Sequence, residues 1–339
     1  MKADGIRVEP YSEFLAEAHH QFALKTWPKK GRRRNDRFIR YKFRAAMNGP
    51  ADGYLLAVTE SGRVVGALGL IPGHVKFSEE ILPCQWACNL MVDPDFRRRG
   101  IASALFREGL KRGVVTLGSS PSASADATMA RLDFGVLEGP WSMVMPLDPA
   151  EVFRWKLPEH PKMANILGWA ARPVAKALRW RCWAVDGVKA EECSWEILRS
   201  RIHEAESSFR MPHVVHTDDW LSWRCNGSEG FNARMEGLLA GRKSYALVGA
   251  MGSDLKVYDW HAESREAAEA LFRAAYKLAI THRALTVRAM AQDDTERQWL
   301  SSMGFLAMRK RVKILCHPRE LVTGSRRFRY AIYDSDGDL

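Results

Sequence analysis

The chain has 339 residues, about twice the length of a typical domain, so we expect two domains. Hydrophobic residues make up 46% of it and charged residues 27%, a balance that excludes a wholly disordered chain and allows each half to bury a core. The net charge of +11 favours anionic partners such as phosphorylated cofactors, nucleotide-linked substrates, acidic lipids or nucleic acid, without choosing between them.

Other classes are excluded by what the sequence lacks. No stretch approaches the roughly 18–20 unbroken apolar residues of a membrane span, and "MKADGIRVEP" has no apolar signal core, so we expect a cytoplasmic protein. The six cysteines are too sparse for a disulfide scaffold and lack the spacing of a zinc site, so no metal is expected. Known nucleic-acid-binding motifs do not occur, and nucleic acid is not an expected partner.

The first 150 residues alternate strand and helix patterns. Apolar periodicity predicts a strand at "GIRVEPY", a helix at "FLAEAHHQFALKTW", a hairpin from "YLLAVTE" to "VVGALGLIPG" and a central strand at "QWACNLMV". A helix is predicted to begin near Gly100, because the apolar residues that follow it share one face. The strand "VVTLG", the helix "ASADATMARLD" and the strand "SMVMPL" complete a mixed α/β domain over residues 1–150.

Residues 151–190 differ in composition from both neighbours. Between residues 151 and 184, seven Lys or Arg stand against two Glu, with four Trp interleaved. We expect a basic, Trp-rich inter-domain helical segment in which Pro158, Pro161 and Pro173 interrupt any long helix. The favoured interpretation is that the tryptophans pack between the domains under Lys and Arg stems. The alternative is peripheral contact of residues 151–184 with an anionic membrane surface.

The second half repeats the first in outline. "DDWLSWRCNGSEGF" echoes "DRFIRYKFRAAMNGP", and "YALVGAMGSDLKVYDWH", "SREAAEALFRAAYKLAITH" and "ALTVRAM" predict two strands, a helix and a strand in the earlier order. We therefore expect a mixed, α+β-like α/β fold of two tandem domains, each with a central, mostly antiparallel mixed sheet flanked by helices. The second domain is predicted at residues 191–320, followed by a C-terminal tail at 321–339.

Three arginines and a glycine meet where the central strand of the first half leads into a helix. A helix start presents unpaired N–H groups and a partial positive charge, and a turn that folds its amides inward makes a nest for an anion. Glycine lets the chain approach a ligand closely, and arginine donates charge-assisted hydrogen bonds to phosphate oxygens. The stretch "DPDFRRRGIAS", residues 93–103, thus has the parts of a pyrophosphate site, with a solvated basic helix start as the alternative.

In its strand-to-helix context, this stretch resembles the acetyl-CoA-binding motif (Q/R)-x-x-G-x-(G/A) of the GNAT (GCN5-related) N-acetyltransferase superfamily. The resemblance implies GNAT-like domains, acetyl-CoA as the acyl donor, and direct attack of an amine acceptor, a small molecule or a glycan, on the CoA thioester. It implies a pyrophosphate cradle made of Arg97, Arg98, Arg99, Gly100, Ile101, Ala102 and Ser103. It also implies that the preceding strand splays from its neighbour and binds the pantetheine arm along Leu90, Met91 and Val92.

The second half departs from this pattern at the corresponding junction, "DWHAESREAAE". The junction lacks the glycine and carries Glu263, Glu266 and Glu269. Carboxylates at a helix start satisfy the helix dipole and repel a pyrophosphate. We therefore expect the second domain to be a degenerate GNAT-like domain that binds no CoA and shapes or covers the acceptor site, with a purely structural duplicate as the alternative.

The catalytic groups are less clearly marked. Members of the superfamily commonly carry a tyrosine four residues before a Gly-Phe pair, where it protonates the leaving thiolate, but here Arg131 stands four residues before a Gly-Val pair. His74 and Asp126 are candidate bases, with a structural histidine and a solvated aspartate as the alternatives. Cys88 and Asn89, on the cofactor strand, are candidate substrate contacts.

Three kinds of function stay open from the sequence. The first is an acyl-CoA-dependent N-acyltransferase. The second is a non-catalytic CoA-binding or scaffold protein of a membrane-associated complex, and the third is a Fem-type aminoacyl or peptidyl transferase, which the intact cradle disfavours. The segment "WLSWRC" and the basic Trp-rich linker resemble, more loosely, bacterial proteins of surface-polysaccharide biosynthesis, which would imply an amino sugar as acceptor.

Overall fold

The computed structural model describes residues 5–27, 35–43, 52–181, 188–225, 235–324 and 326–335. The first half contains β1 (Ile6–Pro10), α1 (Ala16–Thr26), α2 (Asp36–Lys42), β2 (Tyr54–Thr59), β3 (Val64–Phe77), β4 (Glu80–Val92), α3 (Ile101–Leu110), β5 (Val115–Ser119), α4 (Ala123–Arg131) and β6 (Gly135–Pro146). The rest contains α5 (Pro149–Lys156), α6 (Pro161–Arg181), β7 (Ala190–Cys193), α7 (Trp195–Ser208), β8 (His213–Val215), α8 (Asp218–Cys225), β9 (Met235–Ala240), β10 (Ser244–Met251), β11 (Asp254–His261), α9 (Arg265–Thr281), β12 (Thr286–Ala291), α10 (Asp294–Ser302) and β13 (Leu306–His317).

The two halves repeat one order of elements. The series from β1 to β6 recurs from β7 to β13, with β8 as an addition. Helices α2 and α8, which hold the echoing segments, meet through residues at the same position of each segment. The Tyr41 hydroxyl donates to the Trp223 carbonyl at 2.7 Å, and the Trp223 indole donates to the Tyr41 carbonyl at 3.0 Å. Such a reciprocal pair is expected at a two-fold axis between similar units. The predicted mixed α/β fold is confirmed, and the repeated order of elements agrees with two tandem domains.

The halves exchange their last strands. In the described part of the chain, thirteen strands form one mixed sheet in the order β1-β2-β3-β4-β5-β13-β6-β12-β11-β10-β9-β7, with β8 paired to β3. Strand β13 of the second half thus lies between β5 and β6, and β6 of the first half pairs with β12. Because the sheet runs through both halves, the division at residues 1–150, 151–190 and 191–320 stays a prediction about the chain.

The two faces of the first half's sheet carry different cores. On one face, α3 and α4 bury Leu105, Phe106 and Met129 against β2 and β3. The opposite face belongs to a core that draws on both halves and includes Trp86 and Trp220. A third core lies under α9 and α10. The apolar spacing on α3 that predicted a helix near Gly100 is therefore the spacing of its buried face.

Helix α6 corrects one prediction about residues 151–190. Pro173 lies inside this helix instead of ending it. Proline removes one helical hydrogen bond, to the carbonyl four residues earlier, here that of Trp169. Trp169 is exposed, so water can replace the missing donor. Among the helices of the described residues, none has the combined length and apolarity that crossing a bilayer would require.

The segment predicted as a C-terminal tail contains a buried stretch. Phe328, Tyr330 and Tyr333 are almost fully buried, and the first two rings lie against Trp86 of β4. Backbone bonds tie the stretch to β6, where the Glu138 carbonyl accepts from the Phe328 N–H at 2.9 Å. Residues 326–335, which we call the C-terminal segment, therefore run across the sheet between the two halves.

Candidate active site

In the first half, β4 and β5 pair over only part of their length. The two strands pair in parallel as far as Trp86 and Leu117, and their pairing ends there. Strand β4 continues to Val92, and each of residues 87–92 is only partly buried. This splay, predicted by resemblance, leaves one backbone edge of β4 without a partner among the described strands. We call the gap beside β4, beyond its last pair with β5, the first cleft.

A β-bulge bends β4 at the level of the first cleft. Opposite β3, the register passes from Gly69–Cys88 to Ala67–Met91, so β4 carries one extra residue. Asn89 accommodates the bulge with a φ of +54°, a left-handed conformation that asparagine tolerates better than most residues. Bulges turn a strand away from its neighbour and occur often beside active sites. Here the bulge accounts for the separation of β4 from β5.

The first cleft leads to the start of α3. Arg98 and Gly100 both have positive φ, +63° and +80°, which is the alternation that turns successive N–H groups toward one point. The first helical bond runs from the Ala104 N–H to the Gly100 carbonyl, so the N–H groups of residues 101–103 precede the helical ladder. Gly100 is the N-cap and offers no side-chain acceptor. The side chains of residues 97–99 are exposed around this start. The geometry is that of an anion nest.

Asp93 fixes the turn before the nest, and the sequence pattern did not single it out. Its buried carboxylate accepts from Lys25 Nζ of α1 at 2.7 Å, from Arg63 Nη2 at 2.6 Å and from the Asp95 N–H at 3.1 Å. Burial raises the pKa of Asp93, but these hydrogen bonds outweigh it, and the pKa is lowered overall. A charged Asp93 therefore ties the nest to α1 and to the β2–β3 hairpin.

We expect Asp93→Asn to lower the free energy of unfolding at neutral pH by about 2 kcal/mol, because a buried acceptor of charged hydrogen bonds loses its charge. Since the folded-state pKa lies below the ordinary 3.8, Asp93 stabilises the fold fully above that value and loses this contribution as the pH falls through the folded-state pKa. The difference between the two proteins should shrink accordingly in denaturation series run from neutral pH to about pH 3. The control is Asp95→Asn, because Asp95 is an exposed partner of Lys25. An equal loss of unfolding free energy in Asp95→Asn would contradict the stabilising role of the buried Asp93 carboxylate.

On the face opposite α3 and α4, the C-terminal segment covers the end of β5. Ser335 Oγ lies 3.3 Å from Ser119 Oγ and 2.7 Å from Tyr330 Oη. The buried Arg224 of α8 donates to the carbonyls of Tyr333 and Ser335. The segment is thereby held beside the first cleft by a residue of the second half.

A buried charge cluster fastens the same segment. The two ring nitrogens of His216 lie against Glu206 Oε1 and, at 2.7 Å, against Asp334 Oδ1. Burial lowers the pKa of His216, but these two carboxylates outweigh it and raise the pKa to about 10. His216 is therefore a cation at neutral pH, and it bridges α7 to the C-terminal segment.

The second half has a corresponding cleft, and its own side chains close it. Strands β11 and β12 pair as far as Lys256 and Arg288, and β11 then continues through residues 257–260, all of which are buried. The Trp260 indole reaches across the gap and donates to the Met290 carbonyl at 2.6 Å. From the other face, Arg329 donates to the Trp260 carbonyl at 2.9 Å. Among the residues that the structure describes, no comparable backbone edge is left for a ligand at this level.

The helix start beyond the second cleft is also satisfied internally. Ser264 caps α9 by accepting from the Ala267 N–H at 3.2 Å. The pKa of the Glu266 carboxyl is lowered, because this carboxyl accepts hydrogen bonds from the Glu266 N–H and from the Ser264 hydroxyl. The start of α9 thus carries its own acceptors, as its carboxylates predicted, whereas the start of α3 does not.

The structure separates the two candidate bases from each other. His74 is exposed on β3 opposite Pro83, three residues before the last β4–β5 pair and so about 10 Å along the sheet from the first cleft. It lines a different cavity of about 630 Å³, together with Gln85 and Arg112. A base must come within hydrogen-bonding reach of the amine, so this placement disfavours His74, and its catalytic role stays a prediction.

The other predicted site residues lie on two elements: Asp126 and Arg131 on α4, and Cys88 and Asn89 on β4. Asp126 accepts from Lys313 Nζ of β13 at 2.6 Å, an engagement the sequence did not predict. Arg131 is exposed and donates to Thr128 Oγ1 at 3.4 Å. Cys88 and Asn89 lie at the bulge of β4, within the first cleft.

A splayed parallel strand pair, a bulged strand and an uncapped helix start agree with the GNAT fold that the resemblance implied. Residues 28–113 match the family model described as acetyltransferase (GNAT) domain. This match covers about a quarter of the chain and places a GNAT domain in the first half.

Two solved structures illustrate the likeness. One is a GCN5-related N-acetyltransferase from Kribbella flavida, 14% identical with a TM-score of 0.55, aligned over 93% of this chain and 72% of that one. Another, from Anabaena variabilis, is 12% identical with a TM-score of 0.56 over 91% and 72% of the two chains. A search of the curated proteins found no match.

Proposed function

We propose that this protein is an N-acetyltransferase that binds acetyl-CoA in the first cleft and transfers its acetyl group directly to an amine. The observation that carries the proposal is a contrast within one chain. In the described part of the chain, the first cleft is open and leads to an uncapped helix start surrounded by three arginines, whereas the second is closed by Trp260 and Arg329. An open backbone edge and a free anion nest are the two features that a CoA thioester needs.

The residues of the first cleft fit such a donor. The N–H groups of Ile101, Ala102 and Ser103 and the guanidinium groups of residues 97–99 offer hydrogen-bond donors to a diphosphate. The pantetheine arm carries amide groups, which can pair with the open backbone edge of β4 along Leu90, Met91 and Val92. Gly100 leaves room for this approach, because a side chain built there would meet no atom within 4 Å.

The chemistry asked of the protein is modest, because a thioester is already activated. A neutral amine attacks the carbonyl carbon once it is held in line, and positioning alone accounts for much of the rate. A backbone N–H of the bulged strand is available to the oxygen that gains charge. Cys88 and Asn89 are proposed to contact the acceptor from β4.

For the acceptor, we propose an amino sugar of surface-polysaccharide biosynthesis, linked to a nucleotide or a lipid. The support is the net charge of +11, which suits a substrate that carries phosphate. The proposed place of the acceptor is the sheet face opposite α3 and α4, where the C-terminal segment lies.

The proposal is tested by adding acetyl-CoA to the purified protein and measuring the thermal midpoint, then following thiol release with a panel of amines that includes nucleotide-linked amino sugars. At a hundredfold excess over Kd, binding should stabilise the fold by about 2.7 kcal/mol. A shift with thiol release supports the enzyme, and a shift without release on any amine supports the scaffold. Absence of a shift, together with binding of charged tRNA, would support the Fem-type transferase and overturn the proposal.

We further propose that α6 contacts the cytoplasmic face of an anionic membrane. Trp169 is 72% exposed and Ile166 68% exposed, so burial of Trp169 between the domains is a wrong prediction. Small residues on the other side of α6 pack on α5, where a Cβ at Gly168 would collide with Ala150. Exposed basic residues flank the apolar side, as in helices that lie on lipid surfaces, and they are Lys162, Arg172 and Lys176.

The double change Ile166→Ser and Trp169→Ser should weaken binding to vesicles containing anionic lipid by about tenfold or more, because two apolar side chains leave the lipid. Co-sedimentation with anionic and with zwitterionic vesicles measures it. Ile280→Ser, on the exposed side of α9, is the matched control. Unchanged vesicle binding would refute the contact, and a change in oligomeric state instead would indicate that α6 meets a second copy of the chain.

A further inference from the structure

Three hydroxyl groups form a continuous chain that ends at the first cleft. Ser119 is the last residue of β5, two residues beyond the final β4–β5 pair. Its hydroxyl lies 3.3 Å from that of Ser335, which in turn lies 2.7 Å from the Tyr330 hydroxyl. Ser335 and Tyr330 are 2% and 5% exposed, whereas Ser119 is half-buried. The chain therefore runs from the buried C-terminal segment to the rim of the first cleft.

The alternation of side chains along β5 determines on which face of the sheet the three hydroxyl groups lie. A side chain at Gly118 would meet Met129 of α4, so the next residue, Ser119, projects to the opposite face. Trp86, the last paired residue of β4, lies on that face too, with its ring centroid 5.4 Å from that of Tyr330. The hydroxyl chain and the open end of the β4–β5 pairing are thus on one side of the sheet.

Hydrogen bonds within the protein hold Ser335 and Tyr330 in place without a ligand. Arg224 donates to the carbonyls on both sides of Asp334, and Asp334 itself binds His216 and the Ala331 N–H. The backbone of Tyr330 exchanges two hydrogen bonds, each 3.1 Å, with the side chain of Gln292 at the end of β12. Groups fixed in this way need no reorganisation during a reaction.

We infer that Ser119 donates a hydrogen bond to the sulfur of the acyl donor, and that Ser335 and Tyr330 pass it the proton that the leaving thiolate takes up. In the transfer, the amine nitrogen bonds to the carbonyl carbon, the carbon–sulfur bond breaks, and the sulfur keeps the electron pair. The sulfur then takes the Ser119 proton, and Ser119 is reprotonated through Ser335 from Tyr330. The proton lost by the nitrogen returns to Tyr330 along the same hydroxyl chain, entering at the half-buried Ser119. This inference rests on the proposed function and supplies the acid that Arg131 cannot provide.

The thiol of bound CoA tests the inference without any acceptor. A hydrogen bond to the charged form of a group lowers its pKa. In the wild-type protein, the ultraviolet absorbance of the thiolate should therefore give a thiol pKa below that of free CoA by about one unit. Ser119→Ala and Tyr330→Phe should return the value toward that of free CoA, with CoA affinity measured alongside. Ser124→Ala, in the exposed first turn of α4, is the matched control and should leave the shift intact.

The outcomes separate this inference from the proposed function. If CoA binds and its thiol titrates alike in wild type, Ser119→Ala and Tyr330→Phe, the hydroxyl chain does not reach the sulfur, and only this inference is overturned. If the wild-type protein binds no CoA, the proposed function is overturned as well. Ser119→Ala removes one atom from a half-buried site, so its folding should match wild type in a thermal scan.

Discussion

Gly100→Glu is expected to weaken acetyl-CoA binding by about 100-fold or more, equivalent to about 2.8 kcal/mol. Two physical effects combine at this position. A carboxylate would stand at the mouth of the anion nest, where it repels a diphosphate and competes for the N–H groups of residues 101–103. The backbone φ of +80° also penalises any side chain with a Cβ, because left-handed geometry suits glycine. Isothermal titration with acetyl-CoA measures the loss.

A matched control lies at the other end of the same helix. Gly113 has a φ of +68° and open space around its Cβ position, so Gly113→Glu adds the same charge and a similar backbone strain about 15 Å or more from the nest. Its affinity for acetyl-CoA should stay within a factor of about three of wild type. Glu266→Gly, at the start of α9, should neither add a second site nor weaken the first, because Trp260 and Arg329 close the second cleft independently of that carboxylate. Equal losses for Gly100→Glu and Gly113→Glu would assign the effect to strain and remove the nest from the site.

The order of elements and the nest could be predicted because their causes are local. The apolar run of β4 and the one-sided periodicity of α3 belong to single elements, and a positive φ at Gly100 follows from the needs of one turn. The echo between "DRFIRYKF" and "DDWLSWRC" was likewise visible, since both helices bury the same positions around the Tyr41–Trp223 pair. Features that depend on a few neighbouring residues can therefore be predicted from the sequence pattern of those residues.

The strand exchange and the role of the C-terminal segment left weaker signals. The strand "SMVMPL" has the same alternation whether it pairs with its own half or with β12, so the sequence did not indicate its partner. The segment holding Phe328, Tyr330 and Tyr333 follows the last predicted strand and was assigned to a tail. Its aromatic content was the available sign of burial. His74 was a candidate because histidine is chemically versatile and because it was predicted at the end of a strand. Its distance along the sheet could not be obtained without the strand register.

The buried Arg329 explains why the C-terminal segment is part of the fold and why the second cleft is closed. Its Nη2 donates to Asp259 Oδ1 at 2.8 Å and to the Trp260 carbonyl at 2.9 Å, and its guanidinium lies 4.0 Å from the centre of the Phe209 ring. Asp259 also accepts from the Tyr245 hydroxyl at 2.6 Å. The ion pair is satisfied on both sides, which is the condition under which buried charges are tolerated.

Arg329→Met should therefore lower the free energy of unfolding by about 3–5 kcal/mol, because Asp259 would stay buried without a cation. Urea denaturation measures the change. Arg326→Met, three residues earlier and exposed, should stay within about 0.5 kcal/mol of wild type. Since the same segment carries Ser335 and Tyr330, Arg329→Met should also raise the thiol pKa of bound CoA toward the free value. If Arg329→Met leaves both the free energy of unfolding and the thiol pKa of bound CoA unchanged, the C-terminal segment holds its place without this ion pair. The closure of the second cleft would then depend on Trp260 alone.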